Sequence, residues 1–134
     1  MRQTLLGCEF PSVFPVLLAD RGHEFQNHGR IEKAGRTKLY YCEPGRADQK
    51  GAIENCHRMV RRVLPKGTSF DGLTQSDAAL IASHVNSMPR ASLRRASPFD
   101  LARHVLPGDL LEGISLQQVA PDDVCLRPTL ITRG

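Results

Sequence analysis

Two carboxylates, Asp20 and Glu54, have the best-placed chemistry in this chain, with 33 residues between them. Asp20 follows the apolar run Val16-Leu-Leu-Ala19, and the carboxyl end of a strand is where open α/β sheets present functional groups. Glu54 falls in the first turns of a stretch with helical periodicity. Brought together, two carboxylates offer hard oxygen ligands to divalent cations. A pair of Mg²⁺ ions about 4 Å apart would then activate a nucleophile and stabilise the leaving oxygen of an in-line phosphoryl displacement. Basic groups surround Glu54: Lys50, His57, Arg58, Arg61, Arg62 and Lys66. Glu54, His57, Arg58 and Arg61 recur at i, i+3, i+4 and i+7, so they share one helix face. Such a face could hold a DNA backbone beside the metals, with His57 touching a phosphate or orienting a water. Each feature also has an ordinary explanation. Asp before Arg-Gly is a common turn former, an early helical Glu complements the macrodipole, and arginines often line a solvated helix face.

The elements that must position these groups follow from periodicity and punctuation. Phe14–Ala19 reads as a short buried strand with Pro15 at its start, where a missing N–H is tolerated. Asp20-Arg-Gly22 is a turn signal, Gln26–Ala34 a short helix ended by Gly35, and Thr37–Cys42 a β-branched and aromatic second strand. Glu43–Ala47 is a loop. From Asp48 to Leu64 the period is helical, with Ile53, Cys56, Val60 and Val63 as its apolar stripe and Pro65 as its stop. Thr74–Asp77 and Ser97–Asp100 each place a hydroxyl at an N-cap with a carboxylate three residues on. Pro98 occupies the first helical position of the second. The tail beyond Gly113 is Pro-punctuated and reads as extended. Strand, helix, strand, then several helices make an α/β chain with a helical C-terminal extension.

Composition bounds the alternatives. The chain has 134 residues, 40% hydrophobic and 24% charged, which suits one globular domain rather than a disordered segment. Residues 1–67 carry 12 Lys/Arg against 7 Asp/Glu, and residues 68–134 carry 6 against 7, so the net charge of +4 sits in the first half. A polyphosphate partner favours such a bias through counterion release, although solubility alone is an equal reason for it. The absence of Trp gives a base-stacking platform little to build on. Four cysteines without a CxxC pair argue against a structural zinc and a disulfide framework, and for the reducing cytoplasm. No apolar stretch is long enough to cross a bilayer, and no secretory leader is recognisable.

Several strings carry a family likeness. Phe14-Pro-Val-Leu-Leu-Ala-Asp20-Arg-Gly-His-Glu-Phe25 is similar to the strand and Asp-Asn-Gly-x-Glu-Phe signature of integrase cores. With Tyr40-Tyr-Cys-Glu-Pro44, Gln49-Lys-Gly-Ala-Ile-Glu54-Asn55, Val63-Leu-Pro-Lys-Gly-Thr-Ser-Phe-Asp71, His84-Val-Asn-Ser-Met-Pro-Arg90 and Ser97-Pro-Phe-Asp-Leu-Ala102, the chain resembles transposases of the insertion-sequence-thirty family. The likeness covers residues 10–105 or so and includes the spacing between Asp20 and Glu54. It implies a ribonuclease-H-like DDE integrase core, in its C-terminal portion only, over residues 1–70, with a helical extension over 71–134. It further implies Mg²⁺-dependent cutting and joining of DNA, with Asp20 and Glu54 as the second and third catalytic, metal-binding carboxylates. Glu24 and Asn55 match motif positions without a defined role.

Departures qualify the expectation. Arg21 stands where the family has Asn, which places a cation beside a proposed metal ligand. Residues Gly45–Asp48 replace a stretch that in relatives carries Ser and an aromatic. Only 19 residues precede Asp20, with Glu9 their one acidic member, so no first catalytic Asp is recognisable. The expectation is a truncated transposase, inactive alone. Its strand at Val16–Ala19 would lose a neighbour, leaving an edge prone to self-association. The alternatives are a non-catalytic module that binds DNA or pairs with a transposase, and one half of a split enzyme.

Overall fold

The computed structural model describes residues 16–19, 38–43 and 51–131, and the chain divides into two compact units, Met1–Gly51 and Ala52–Gly134. Within the first unit, β1 (Val16–Ala19) pairs in parallel with β2 (Lys38–Tyr41), in the register Val16 to Lys38 through Ala19 to Tyr41. Both strands lie where their apolar and aromatic runs predict. A parallel pair needs a crossover, and residues 20–37 supply enough chain for one. On β2, Tyr40 and Tyr41 are exposed and the following Cys42 is buried. The expected helix at Gln26–Ala34 lies outside the described residues.

The second unit is helical: α1 (Gly51–Val63), α2 (Gln75–Ser87), α3 (Pro98–Val105) and α4 (Gly108–Gly113), followed by short 3₁₀ turns at Pro121–Asp123 and Pro128–Leu130. Glu54 in the first turn of α1 and Arg61 and Arg62 in its last complement the macrodipole. The chain leaves α1 through Pro65-Lys-Gly-Thr68, closed by a 3.0 Å bond from the Thr68 N–H to the Pro65 carbonyl. Gly67 has φ of 91° there, a conformation that a Cβ would strain. Both capping boxes form as read. The Thr74 N–H donates to Asp77 at 2.8 Å while the Asp77 N–H returns to the Thr74 hydroxyl, and Ser97 with Asp100 repeats the exchange.

The core joins α1 to α2. Met59, Val63, Leu64, Ile81 and Val85 are buried together, with Cys56, Val60, Leu126, Leu130 and Ile131 packed around them. The stripe read from the sequence is therefore displaced on α1: Met59 is buried at its centre, whereas Ile53 is 51% exposed. Ile53 sits in the first turn, before the helix reaches its partners in this core.

The tail does more than extend. It is held across α2 by its own backbone: the Gln117 N–H donates to the Ser83 hydroxyl (3.0 Å), the Val119 N–H to the Ser87 hydroxyl (2.9 Å) and the Cys125 N–H to His84 Nδ1 (3.0 Å). Ser83 and Ser87 lie one helical turn apart, about 6 Å along the axis, which matches the roughly 6.6 Å spanned by two residues of extended chain. Gln118, between the two anchored amides, turns the other way. It donates to Asp100 Oδ1 at 2.8 Å and accepts from Arg103 at 3.0 Å, tying the tail to α3. Leu126, Leu130 and Ile131 then close the core. Among the described residues, no helix is long and apolar enough to cross a membrane.

Candidate nucleic-acid and metal site

Rotation along α1 separates its two roles. At about 100° per residue, Glu54, Arg58 and Arg61 fall within a narrow arc, with His57 and Arg62 at its flanks, and Met59, Cys56 and Val63 fall opposite. Burial agrees. Glu54, His57, Arg58, Arg61 and Arg62 are all exposed, whereas Met59 and Val63 are in the core. The apolar contacts with α2 thus fix which way the charged face points. Lys66 is exposed in the turn that follows, within reach of the same end of the helix.

A further group belongs to this end. The turn through Gly67 folds the chain back on α1, and Phe70 meets the Arg61 guanidinium with its ring centroid 6.0 Å away. A cation over an aromatic face gains electrostatic attraction from the ring quadrupole. Phe70 remains 52% exposed, so an apolar ring stands at the rim of the basic surface. Its position depends on how the turn closes, and helical periodicity carried no signal for it. Downstream, Ser69 and Asp71 brace the loop, the Ser69 hydroxyl donating to Asp71 at 3.0 Å and accepting its N–H at 3.2 Å.

Of the groups expected at the site, Glu54, His57, Arg58, Arg61, Arg62 and Lys66 are present on or beside one face of α1. Asp20 and Lys50 lie outside the described residues; β1 ends at Ala19, the residue before Asp20. Asn55 is half-buried. Among the described residues no three acidic, His or Cys groups cluster as a metal site would require. Glu54 alone brings one exposed carboxylate, a donor of the hard type that Mg²⁺ prefers. The ion's octahedral shell would need other oxygens besides.

Comparison with known proteins places the sequence. It is 33% identical to the transposase for insertion sequence element IS1086 of Cupriavidus metallidurans, over 68% of this chain and 27% of that protein. It is 30% identical to the transposase for insertion sequence element IS4351 of Bacteroides fragilis, over 68% of this chain and 28% of that protein. It is also 32% identical to transposase InsI of insertion sequence element IS30A of Escherichia coli, over 61% of this chain and 21% of that protein. The matched stretch therefore spans between about a fifth and a little over a quarter of these relatives. No family model and no solved structure matches the chain. By sequence, then, the chain is a relative of the insertion-sequence transposases of the IS30 kind.

Proposed function

We propose that this chain binds the sugar-phosphate backbone of duplex DNA through the exposed face of α1, as part of a transposase-type reaction. The carrying observation is the division of α1. Met59 and Val63 hold one side in the core, and this leaves Arg58, Arg61 and Arg62 together on the solvent side with Glu54 and His57. Arginine presents a planar fork of N–H donors matched to phosphate oxygens, and contacts of this kind position a protein on DNA without reading sequence. The relatives being transposases supports DNA as the polyanion.

Within this reading Asp20 and Glu54 are the carboxylates that would hold a divalent cation, most simply Mg²⁺. The cation, when bound, would polarise a phosphate oxygen and lower the pKa of a bound water. Glu54 would contribute an oxygen ligand, Arg58 and Arg61 would neutralise and orient the phosphodiester beside it, and Lys66 with Lys50 would extend the grip along the strand. His57, one turn from Glu54, would hydrogen-bond a phosphate oxygen.

The test is fluorescence anisotropy with labelled duplexes of two unrelated sequences, over a range of salt. Replacing Arg58, Arg61 and Arg62 by Gln removes up to three phosphate contacts, so the slope of log K against log salt should shrink by about 2.7 at roughly 0.9 per contact. The loss should be alike for both sequences. An unchanged affinity and slope would remove DNA binding from this face.

A further inference from the structure

A second basic element lies beside α1, and its construction is unusual. Between α2 and α3 the chain makes a closed loop: the Arg90 N–H donates to the Ala96 carbonyl and the Arg95 N–H to the Arg90 carbonyl, both at 3.0 Å. Closing it holds two consecutive arginines, Arg94 and Arg95, at φ of 54° and 68°. Residues with a Cβ are uncommon in this region, and glycine would meet the backbone requirement freely. Both side chains are exposed, and among the described residues no carboxylate forms an ion pair with either.

Arg90 fixes where the loop sits. Its Nη2 lies 3.9 Å from Met59 Sδ of α1, a weak acceptor, and its Nε is buried without a hydrogen-bond partner. On the helix surface Met59 and Arg62 are neighbours at i, i+3, with Cβ atoms about 5–6 Å apart. The Arg90 guanidinium is thus packed against α1 with one donor unsatisfied. Burying a cationic group with incomplete hydrogen bonding is costly. An anion settling over the exposed Arg94 and Arg95 beside it would offset part of that cost through its charge.

We propose that the Arg90–Ala96 loop is a second contact for the phosphate backbone of duplex DNA, continuous with the α1 surface. Arg94 and Arg95 make the contacts, and Arg90 positions the loop against α1. The proposal rests on the DNA-binding reading of α1 and extends it by a neighbouring pair of phosphates. The closed loop fixes the backbone that carries the two side chains, so little backbone freedom remains to be lost on binding.

The experiment compares five proteins on one duplex by anisotropy over a salt series: the full chain as it stands, Arg94→Gln/Arg95→Gln, Arg94→Lys/Arg95→Lys, Arg94→Gly/Arg95→Gly, and the Arg58, Arg61, Arg62 triple Gln variant. Losing two phosphate contacts should lower the salt slope by about 1.8, making binding about twelvefold less sensitive to a rise from 50 to 200 mM salt. The Lys pair should keep a slope close to that of the parent. Arg94→Gly/Arg95→Gly, which relieves the positive φ values, guards against a folding artefact and should match the Gln pair. If the loop variants bind like the parent while the α1 variant is weakened, the loop proposal fails and the α1 reading stands. If the Lys pair loses as much as the Gln pair, the loop's effect is not one of charge and the proposal fails as well. If the parent chain does not bind duplex DNA, both fall together.

Discussion

Ser87 is 3% exposed, and its hydroxyl accepts the Val119 N–H at 2.9 Å; one turn earlier Ser83, 4% exposed, accepts the Gln117 N–H at 3.0 Å while donating to the Ala79 carbonyl at 2.7 Å. Ser87→Ala removes the acceptor and leaves a backbone N–H with nothing to replace it. A partly buried donor so orphaned costs about 1–3 kcal/mol, and because Val119 is only half-buried the lower half of that range applies. Ser83→Ala should cost a similar amount. The two anchors hold one segment, so their effects should not be independent. Once one is lost, the strap is looser, and the second loss should cost less than it does alone. Urea denaturation of both single variants and the double gives the coupling directly, with Ser92→Ala as an exposed control expected within about 0.5 kcal/mol of the parent. If Ser87→Ala were as stable as the control, the tail would not be fastened to α2 as described. Strict additivity of the two serine losses would refute the single-strap argument even if each were destabilising.

Further perturbations probe other parts of the account. Burial lowers the pKa of His84 below its ordinary 6.5, against a smaller opposing pull from Asp123. The folded state then binds fewer protons than the unfolded one just below 6.5, so His84's contribution is intact above that pH and declines as pH falls beneath it. Protonating Nδ1 would also cost the Cys125 bond, and the pH slope of stability in that window should flatten in His84→Gln. Asp100 acts in a separate, more acidic window: hydrogen bonds from Ser97 lower its pKa below 3.8, and that support is lost as pH falls through the lowered value. Gly67→Ala should destabilise by about 1 kcal/mol, since nothing crowds the site and the cost comes from φ alone; an unchanged thermal midpoint would count against the turn. For the cation, Glu54→Gln should abolish any Mg²⁺-dependent increase in DNA affinity while leaving the Mg²⁺-free affinity equal or slightly higher. The same dependence on Mg²⁺ in parent and variant would take Glu54 out of the metal reading.

Much of the local structure was legible because it depends on neighbours in sequence. The capping boxes at Thr74 and Ser97 form as their hydroxyl-to-carboxylate spacing implies, and Pro65 stops α1 where a missing N–H should. The polar face of α1 was equally readable, because i, i+3 and i+4 spacing places Glu54, His57, Arg58 and Arg61 together whatever the rest of the fold does. What depends on long-range packing was not readable. The apolar stripe gave Ile53 the place that Met59 takes, since a period locates a face only to within a residue or so and the partner helix decides the rest. Ser83, His84 and Ser87 look unremarkable on α2, yet they are buried because a segment more than thirty residues on brings its N–H groups to them. The Arg61 and Phe70 contact and the Arg94-Arg95 conformation are set by turn closure, which side-chain periodicity does not encode.

Backbone amide shifts of the 14.8 kDa chain, followed by NMR as duplex DNA is added, put the reading of α1 to its most direct trial. Changes should concentrate at Glu54, His57, Arg58, Arg61 and Lys66 and extend to Arg94 and Arg95, with Leu101 and Val105 of α3 unmoved. Shifts centred on α3 or the tail, with α1 silent, would contradict it.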